Sequence, residues 1–268
     1  MLRTYSALVL ASVLAAACTD GTAPESGTDQ VSLSFSTGAT TTSSAQISGG
    51  ATASGEIRIG AGTNELVITR AQVVLEEIEF ESEDYSCRQR MAAAGADTVA
   101  LDSATLREYC DGFEVEFGPV VIDLPTGQVP VQGVTLRVPP GQYDELKFEI
   151  EPLDDDRSDD RYGRPGPRGA SIRVDGTFNG QPFVYLSALE AEVELHFQPA
   201  LVITPGGFNV TIRVDVSEWF TTSDGRLIDP SSANAGGPNQ AMVEANILAS
   251  LDAYPDRDRD GHRDDRSH

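Results

Sequence analysis

The feature that most constrains this 268-residue chain is an alternation of apolar and polar side chains, mostly charged, that returns in segment after segment. Ile78 and Phe80 alternate with Glu77, Glu79 and Glu81, and Phe113, Val115 and Phe117 with Glu114 and Glu116. Val134, Leu136 and Val138 alternate with Thr135 and Arg137; Leu146, Phe148 and Ile150 with Glu145, Lys147 and Glu149. Val193, Leu195 and Phe197 flank Glu194 and His196, while Phe208, Val210, Ile212, Val214 and Val216 enclose Asn209, Thr211, Arg213 and Asp215. A period of two puts one face of each strand in a core and the other in water, the habit of antiparallel sheets rather than of buried parallel ones. The chain is therefore expected to be all-β, an antiparallel β-sandwich.

The punctuation between these runs agrees. Asn179-Gly180 separates two apolar-rich stretches and predicts a tight hairpin, because both residue types tolerate positive φ. Pro139-Pro140-Gly141 divides another pair of strands, and the acidic run from Asp154 to Asp160, followed by Gly163, Pro165, Gly166 and Pro167, reads as an exposed loop. One amphipathic helix is expected near the end: Asn239 can cap it, Val243, Ile247, Leu248 and Leu251 recur at helical spacing, and Pro255 stops it.

The first residues address the compartment. Met1-Leu2-Arg3 precedes an uncharged apolar run from Leu8 to Ala17, too short to span a bilayer and of the length of a secretory signal. It ends in Leu14-Ala15-Ala16-Ala17-Cys18, small residues before a cysteine that resemble the lipobox of bacterial lipoproteins, with Ala15 in the place where leucine is usual. The resemblance implies cleavage before Cys18, lipidation of its thiol and acylation of the new amino terminus, so that the membrane is a partner through the lipid alone. Thr19, where aspartate would retain a lipoprotein at the inner membrane, implies the cell envelope with an outer-membrane or periplasm-facing location. Residues 18–56 are rich in Ser, Thr and Gly and read as a tether, interrupted by Val31 to Phe35, a strand-like segment that either docks on the domain or stays loose. The expected layout is then signal 1–17, tether 18–56, sandwich 57–238, helix 239–255 and an acidic tail 256–268.

Charge narrows the partners. With 42 acidic against 19 basic residues the net charge is −23, which repels nucleic acid and anionic lipid surfaces. Protein and glycan partners stay open. Apart from Cys18 there are two cysteines, Cys87 and Cys110. In an oxidising compartment they are expected to form a disulfide, closing a loop of about 23 residues and stabilising the fold by roughly 3 kcal/mol on the chain-entropy argument. A metal pair or a nucleophile would want histidines close by, and the chain has only His196, His262 and His268.

The tail carries the sharpest chemistry. In Asp256-Arg257-Asp258-Arg259-Asp260-Gly261-His262-Arg263-Asp264, carboxylates stand at positions 1, 3 and 5, glycine at 6 and a further carboxylate at 9. Alternate side chains in a tight loop converge on one hard cation, and glycine permits the bend. The candidate metal residues are thus Asp256, Asp258, Asp260, the carbonyl of His262, and Asp264, with calcium as the expected cofactor. Position 12 is Ser267 instead of the bidentate glutamate of an EF-hand, so the tail is more like the Asp-rich calcium repeats of extracellular proteins. The competing reading is a solvated tail whose aspartates are neutralised by Arg257, Arg259 and Arg263.

No catalytic constellation is found: there is no Gly-x-Ser-x-Gly, no His-Glu-x-x-His and no phosphate loop, and His196 falls on a charged face. Trp219, the only tryptophan, is a candidate sugar platform, with Tyr85, Tyr109 and Tyr162 as weaker additions, although a strand-end tryptophan more often plugs a core. The preferred expectation is a non-enzymatic binding or structural module; a carbohydrate-binding surface protein, and then a hydrolase, are the alternatives. The stretches Val73 to Phe80, Val138 to Tyr143, Gly176 to Phe183, Val214 to Phe220 and the Asp-rich tail together resemble an uncharacterised family of bacterial lipoproteins with a β-sandwich domain. That resemblance implies a fold and no catalytic residues.

Overall fold

The computed structural model describes residues 29–37, 55–81, 113–115, 119–127, 130–138, 141–154, 165–204 and 207–264. Cys18, Cys87, Cys110, Tyr85, Tyr109 and Tyr162 lie outside these. The strands are β1 Asp29–Ser36, β2 Ile57–Ala61, β3 Asn64–Glu81, β4 Phe113–Val115, β5 Val120–Asp123, β6 Val131–Val138, β7 Gly141–Ile150, β8 Ile172–Phe178, β9 Gln181–Ser187, β10 Ala191–Ile203, β11 Phe208–Val214 and β12 Leu251–Pro255. A one-turn helix α1, Val216–Trp219, and the helix α2, Gln240–Ala249, lie between β11 and β12, separated by a 3-10 turn over Pro230–Ala233.

The strands make two sheets, as the alternation requires. The small sheet runs β12-β11-β1-β6; the large one runs β10-β7-β3-β8-β9, with β2, β4 and β5 also paired to β3. Every strand pair is antiparallel except β1 with β11, which is parallel with Val31 opposite Phe208. Inward residues of both sheets, among them Leu33, Phe35, Leu75, Phe80, Leu146, Phe148, Val210 and Ile212, form one buried core. β3 bends through two register shifts, between Ile68 and Arg70 and between Glu76 and Ile78, the second at Glu77 with φ 42°. The hairpin at Asn179-Gly180 has φ of 50° and 77°, the left-handed pair that a right-twisted two-residue turn needs.

The structure decides or corrects several of the sequence expectations. Of the two readings left open for Val31 to Phe35, docking holds: β1 lies inside the small sheet between β11 and β6, so the sandwich includes Asp29–Ser36, ahead of the expected start at residue 57. The terminal helix does not run over 239–255. It stops at Ala249, and Leu251–Pro255 becomes β12, pairing with Val210 to Val214. Five residues of mixed apolar and polar character suit either state, and the free edge of β11 offers the ladder that decides it. Asn239 stands at the cap position, but its side chain donates to Ser232 Oγ at 2.8 Å and makes no cap bond. Finally, the alternation of β11 ends at Val214; Asp215 instead caps α1 by accepting from the Ser217 N–H.

Trp219 is completely buried and donates Nε1–H to Ser250 Oγ at 2.8 Å, while the Ser250 backbone carbonyl accepts from Asp215 N–H. It plugs the end of the core, and the sugar-platform role considered for it does not hold. Among the described residues no helix is long and apolar enough to cross a membrane.

Candidate metal centre

β12 delivers the first aspartate of the tail. Asp256 N–H donates to the Asn209 carbonyl at 3.1 Å, which prolongs the β11–β12 ladder by one residue and holds Asp256 against β11. Its side chain is fully buried. There Thr211 Oγ1 donates to Asp256 Oδ2 at 2.6 Å.

The chain then folds back. Arg259 takes φ 60° and Gly261 φ 82°, and this double left-handed bend aims two backbone N–H groups at the first aspartate. Asp260 N–H donates to Asp256 Oδ1 at 3.1 Å and Gly261 N–H to Oδ2 at 3.0 Å. Glycine is needed at 261 for a second reason: a Cβ there would stand 2.7 Å from Pro130 Cγ. His262 N–H donates to Asp260 Oδ1 at 2.8 Å. Asp264 closes the loop, its N–H donating to the Pro255 carbonyl at 3.1 Å and its Oδ2 accepting from Arg257 N–H at 3.0 Å.

The result brings three of the five expected metal residues together. Carboxylate oxygens of Asp256, Asp258 and Asp260 lie within 4.8 Å of one another, the first buried and the other two exposed. Asp264 Oδ2 accepts from the loop's own Arg257 N–H, and His262 donates its N–H to Asp260.

The three nearby arginines do not neutralise this cluster. Arg257 lies over the Phe208 ring at 5.2 Å and reaches Asp264 at 4.0 Å. Arg259 donates to Ser32 Oγ at 3.2 Å, and Arg263 lies over Tyr254 and pairs with Asp252 at 3.4 Å. Among the described residues no lysine or arginine forms an ion pair with Asp256, Asp258 or Asp260. Three like charges so close repel by about 1 kcal/mol per pair in a water-like dielectric, and by about 4 kcal/mol where the effective dielectric is near 20. A bound cation removes that cost. The donor set is oxygen only, which suits calcium or magnesium and not zinc or copper. The cluster can hold a metal ion.

The residues that receive the loop were missed in the sequence. Ser34 Oγ donates to Asn209 Oδ1 at 2.9 Å, Asn209 Nδ2 to Thr211 Oγ1 at 3.3 Å, and Thr211 in turn to Asp256. Asn209 and Thr211 were expected to face water, but both are buried, as are Ser32, Ser34 and Ser36. A signal was present: these outward positions carry short uncharged hydroxyls and an amide, where the equivalent positions of β3, β7 and β10 carry Glu, Lys and His. Strands meant for water use charge; strands meant to be roofed by another segment use groups that hydrogen-bond without a net charge to desolvate.

The outer face of the large sheet is built the other way. Glu81, Glu145 and His196 stand side by side in the register of β3, β7 and β10. Lys147 Nζ reaches Glu81 Oε1 at 2.8 Å and Glu145 Oε1 at 3.7 Å, and its ammonium is held above the usual lysine range, first by the hydrogen bond to Glu81. Burial pushes the Glu145 carboxyl up, outweighing the opposing pull of Lys147. His196 is exposed and lies 3.4 Å from Glu145, with no Ser, Thr or Cys partner among the described residues.

The fold and site define the chain as an all-β sandwich with a carboxylate loop able to hold a cation. No protein-family model matches it, and no curated protein does. Among solved structures, MbnP from Methylosinus trichosporium aligns with a TM-score of 0.39 at 10% identity, over 85% of this chain and 99% of that one. A likeness this distant carries no argument about what the chain binds or does.

Proposed function

We propose that this chain is an exported, lipid-anchored binding or structural module of the cell envelope that takes up one calcium ion in its C-terminal loop. The observation that supports the metal most is the cluster itself: three carboxylates within 4.8 Å, one of them wholly buried, and none of them ion-paired to a lysine or arginine among the described residues. Calcium is preferred to magnesium because it accepts irregular oxygen sets, whereas magnesium demands a near-octahedral one. With no glutamate at position 12, the affinity belongs with extracellular modules, about 10⁻⁴–10⁻³ M, which millimolar calcium outside a cell fills. At ten times the dissociation constant, calcium should raise Tm by about 4 °C, the linkage gain spread over the unfolding entropy of a domain this size. The Asp258→Ala/Asp260→Ala protein should show no rise; an equal rise in both proteins, or none in either, refutes the site.

The anchor is proposed from Leu14 to Cys18 alone. Cys18→Ser should move the protein from the membrane to the soluble fraction, and continued sedimentation with membranes contradicts the assignment. The Cys87–Cys110 disulfide belongs to the same reading, and alkylation of both thiols under denaturing, non-reducing conditions would remove it.

A further inference from the structure

The C-terminal loop does not hang from the domain; it lies over the strand through which the chain enters it. β1 is hemmed in on every side. β11 and β6 flank it within the sheet, and Val31, Leu33 and Phe35 fill the core beneath it. Its other face, Ser32, Ser34 and Ser36, is 3–7% exposed because the loop covers it. Arg259 donates to Ser32, a Cβ on Gly261 would stand 3.8 Å from Ser36 Cβ, and the relay from Ser34 through Asn209 and Thr211 ends on Asp256. The one way out for β1 that leaves its neighbouring strands and the core in place is past this loop.

We propose that the C-terminal loop is a calcium-dependent latch on the N-terminal strand: with an ion held by Asp256, Asp258 and Asp260, β1 cannot leave the small sheet until the loop releases. This rests on the calcium reading above and adds a consequence to it. Asp256 is both a ligand of the ion and the end of the hydrogen-bond relay from β1. The ion therefore stabilises the closed loop, and every opening of β1 that requires the loop to lift becomes rarer as calcium rises.

The test is amide hydrogen exchange on the full chain, in EGTA and in a calcium series, with calorimetry on the same sample to fix the dissociation constant. If β1 opens only after the ion leaves, its exchange rate falls by the factor 1 + [Ca²⁺]/Kd, about 11-fold at ten times Kd. Peptides covering residues 29–36 should slow by that factor, while those covering the 172–187 hairpin stay within about twofold. The Asp258→Ala/Asp260→Ala protein should show no calcium effect in either. Saturable binding heat with residues 29–36 unchanged overturns the latch and leaves the metal site standing. Equal slowing of both regions makes the effect global and overturns it too, as does calcium-dependent slowing in the double variant. Absence of binding heat removes the metal site and the latch together.

Discussion

Asp256 and Glu145 are both buried carboxylates, 0% and 7% exposed, and they lie over the outer faces of the small and the large sheet. Asp256 accepts from a hydroxyl and two backbone N–H groups, so both its oxygens are satisfied. Glu145 has a buried Oε1 with no hydrogen bond, only an ammonium 3.7 Å away and a histidine beyond its other oxygen. The first is held in place by donors that the loop was bent to provide. The second is a member of a charged row that the packing has partly closed over. A buried carboxylate with a complete set of donors marks a built site, and one that is only desolvated marks a cost.

The largest effect should come from removing the satisfied carboxylate. Asp256→Ala strands the Thr211 hydroxyl and two N–H groups, and should lower stability by about 3 kcal/mol, read as a fall in the urea midpoint at unchanged slope. A change below about 1 kcal/mol would mean that the loop is not docked as described. Next, Thr211→Val keeps the shape and deletes one donor, and should cost about 1.5 kcal/mol in the same assay. Glu145→Gln should have the opposite sign. Because burial raises the folded pKa above that of the unfolded chain, this group's contribution to stability falls as pH climbs from the ordinary carboxylate range through the raised value. The variant should therefore match the wild type at low pH and exceed it at pH 7; a loss at pH 7 would show that the Lys147 and His196 contacts outweigh desolvation. The smallest effect belongs to the partly exposed Lys147–Glu81 pair, where Glu81→Gln should cost about 0.5 kcal/mol and the difference should shrink in salt.

The same contrast explains what could be read from the sequence. Strands whose outward residues are Glu, Lys or Arg announced their period and, Glu145 apart, an outer face left at least partly open, and Ile78, Phe80, Leu146, Phe148, Val193 and Leu195 lie in the core as expected. Asn179-Gly180 was legible because two adjacent positive φ values leave few residue choices. Gly261 of the Asp-x-Asp-x-Asp-Gly run was legible for the same kind of reason, since its φ of 82° and the nearness of Pro130 leave no place for a side chain. What could not be read is whatever another segment decides. Leu251–Pro255 is a strand only because β11 has a free edge beside it. Ser32, Ser34, Asn209 and Thr211 look like ordinary outward residues until the tail is known to cover them. The competing reading of the tail, solvated and with arginines neutralising its aspartates, could not be dismissed from the sequence, because only in three dimensions do those arginines lie at Phe208, Ser32 and Tyr254.

All of this turns on whether the clustered carboxylates of the loop take up a cation. The most direct measurement is a calorimetric titration of calcium into the intact protein after exhaustive chelation, at low ionic strength and neutral pH. One saturable site per chain, with a dissociation constant of about 10⁻⁴–10⁻³ M and no counterpart in Asp258→Ala/Asp260→Ala, is the predicted result. Identical, unsaturable heats from the two proteins would contradict it, and would reduce the loop to a hydrogen-bonded cover over the small sheet.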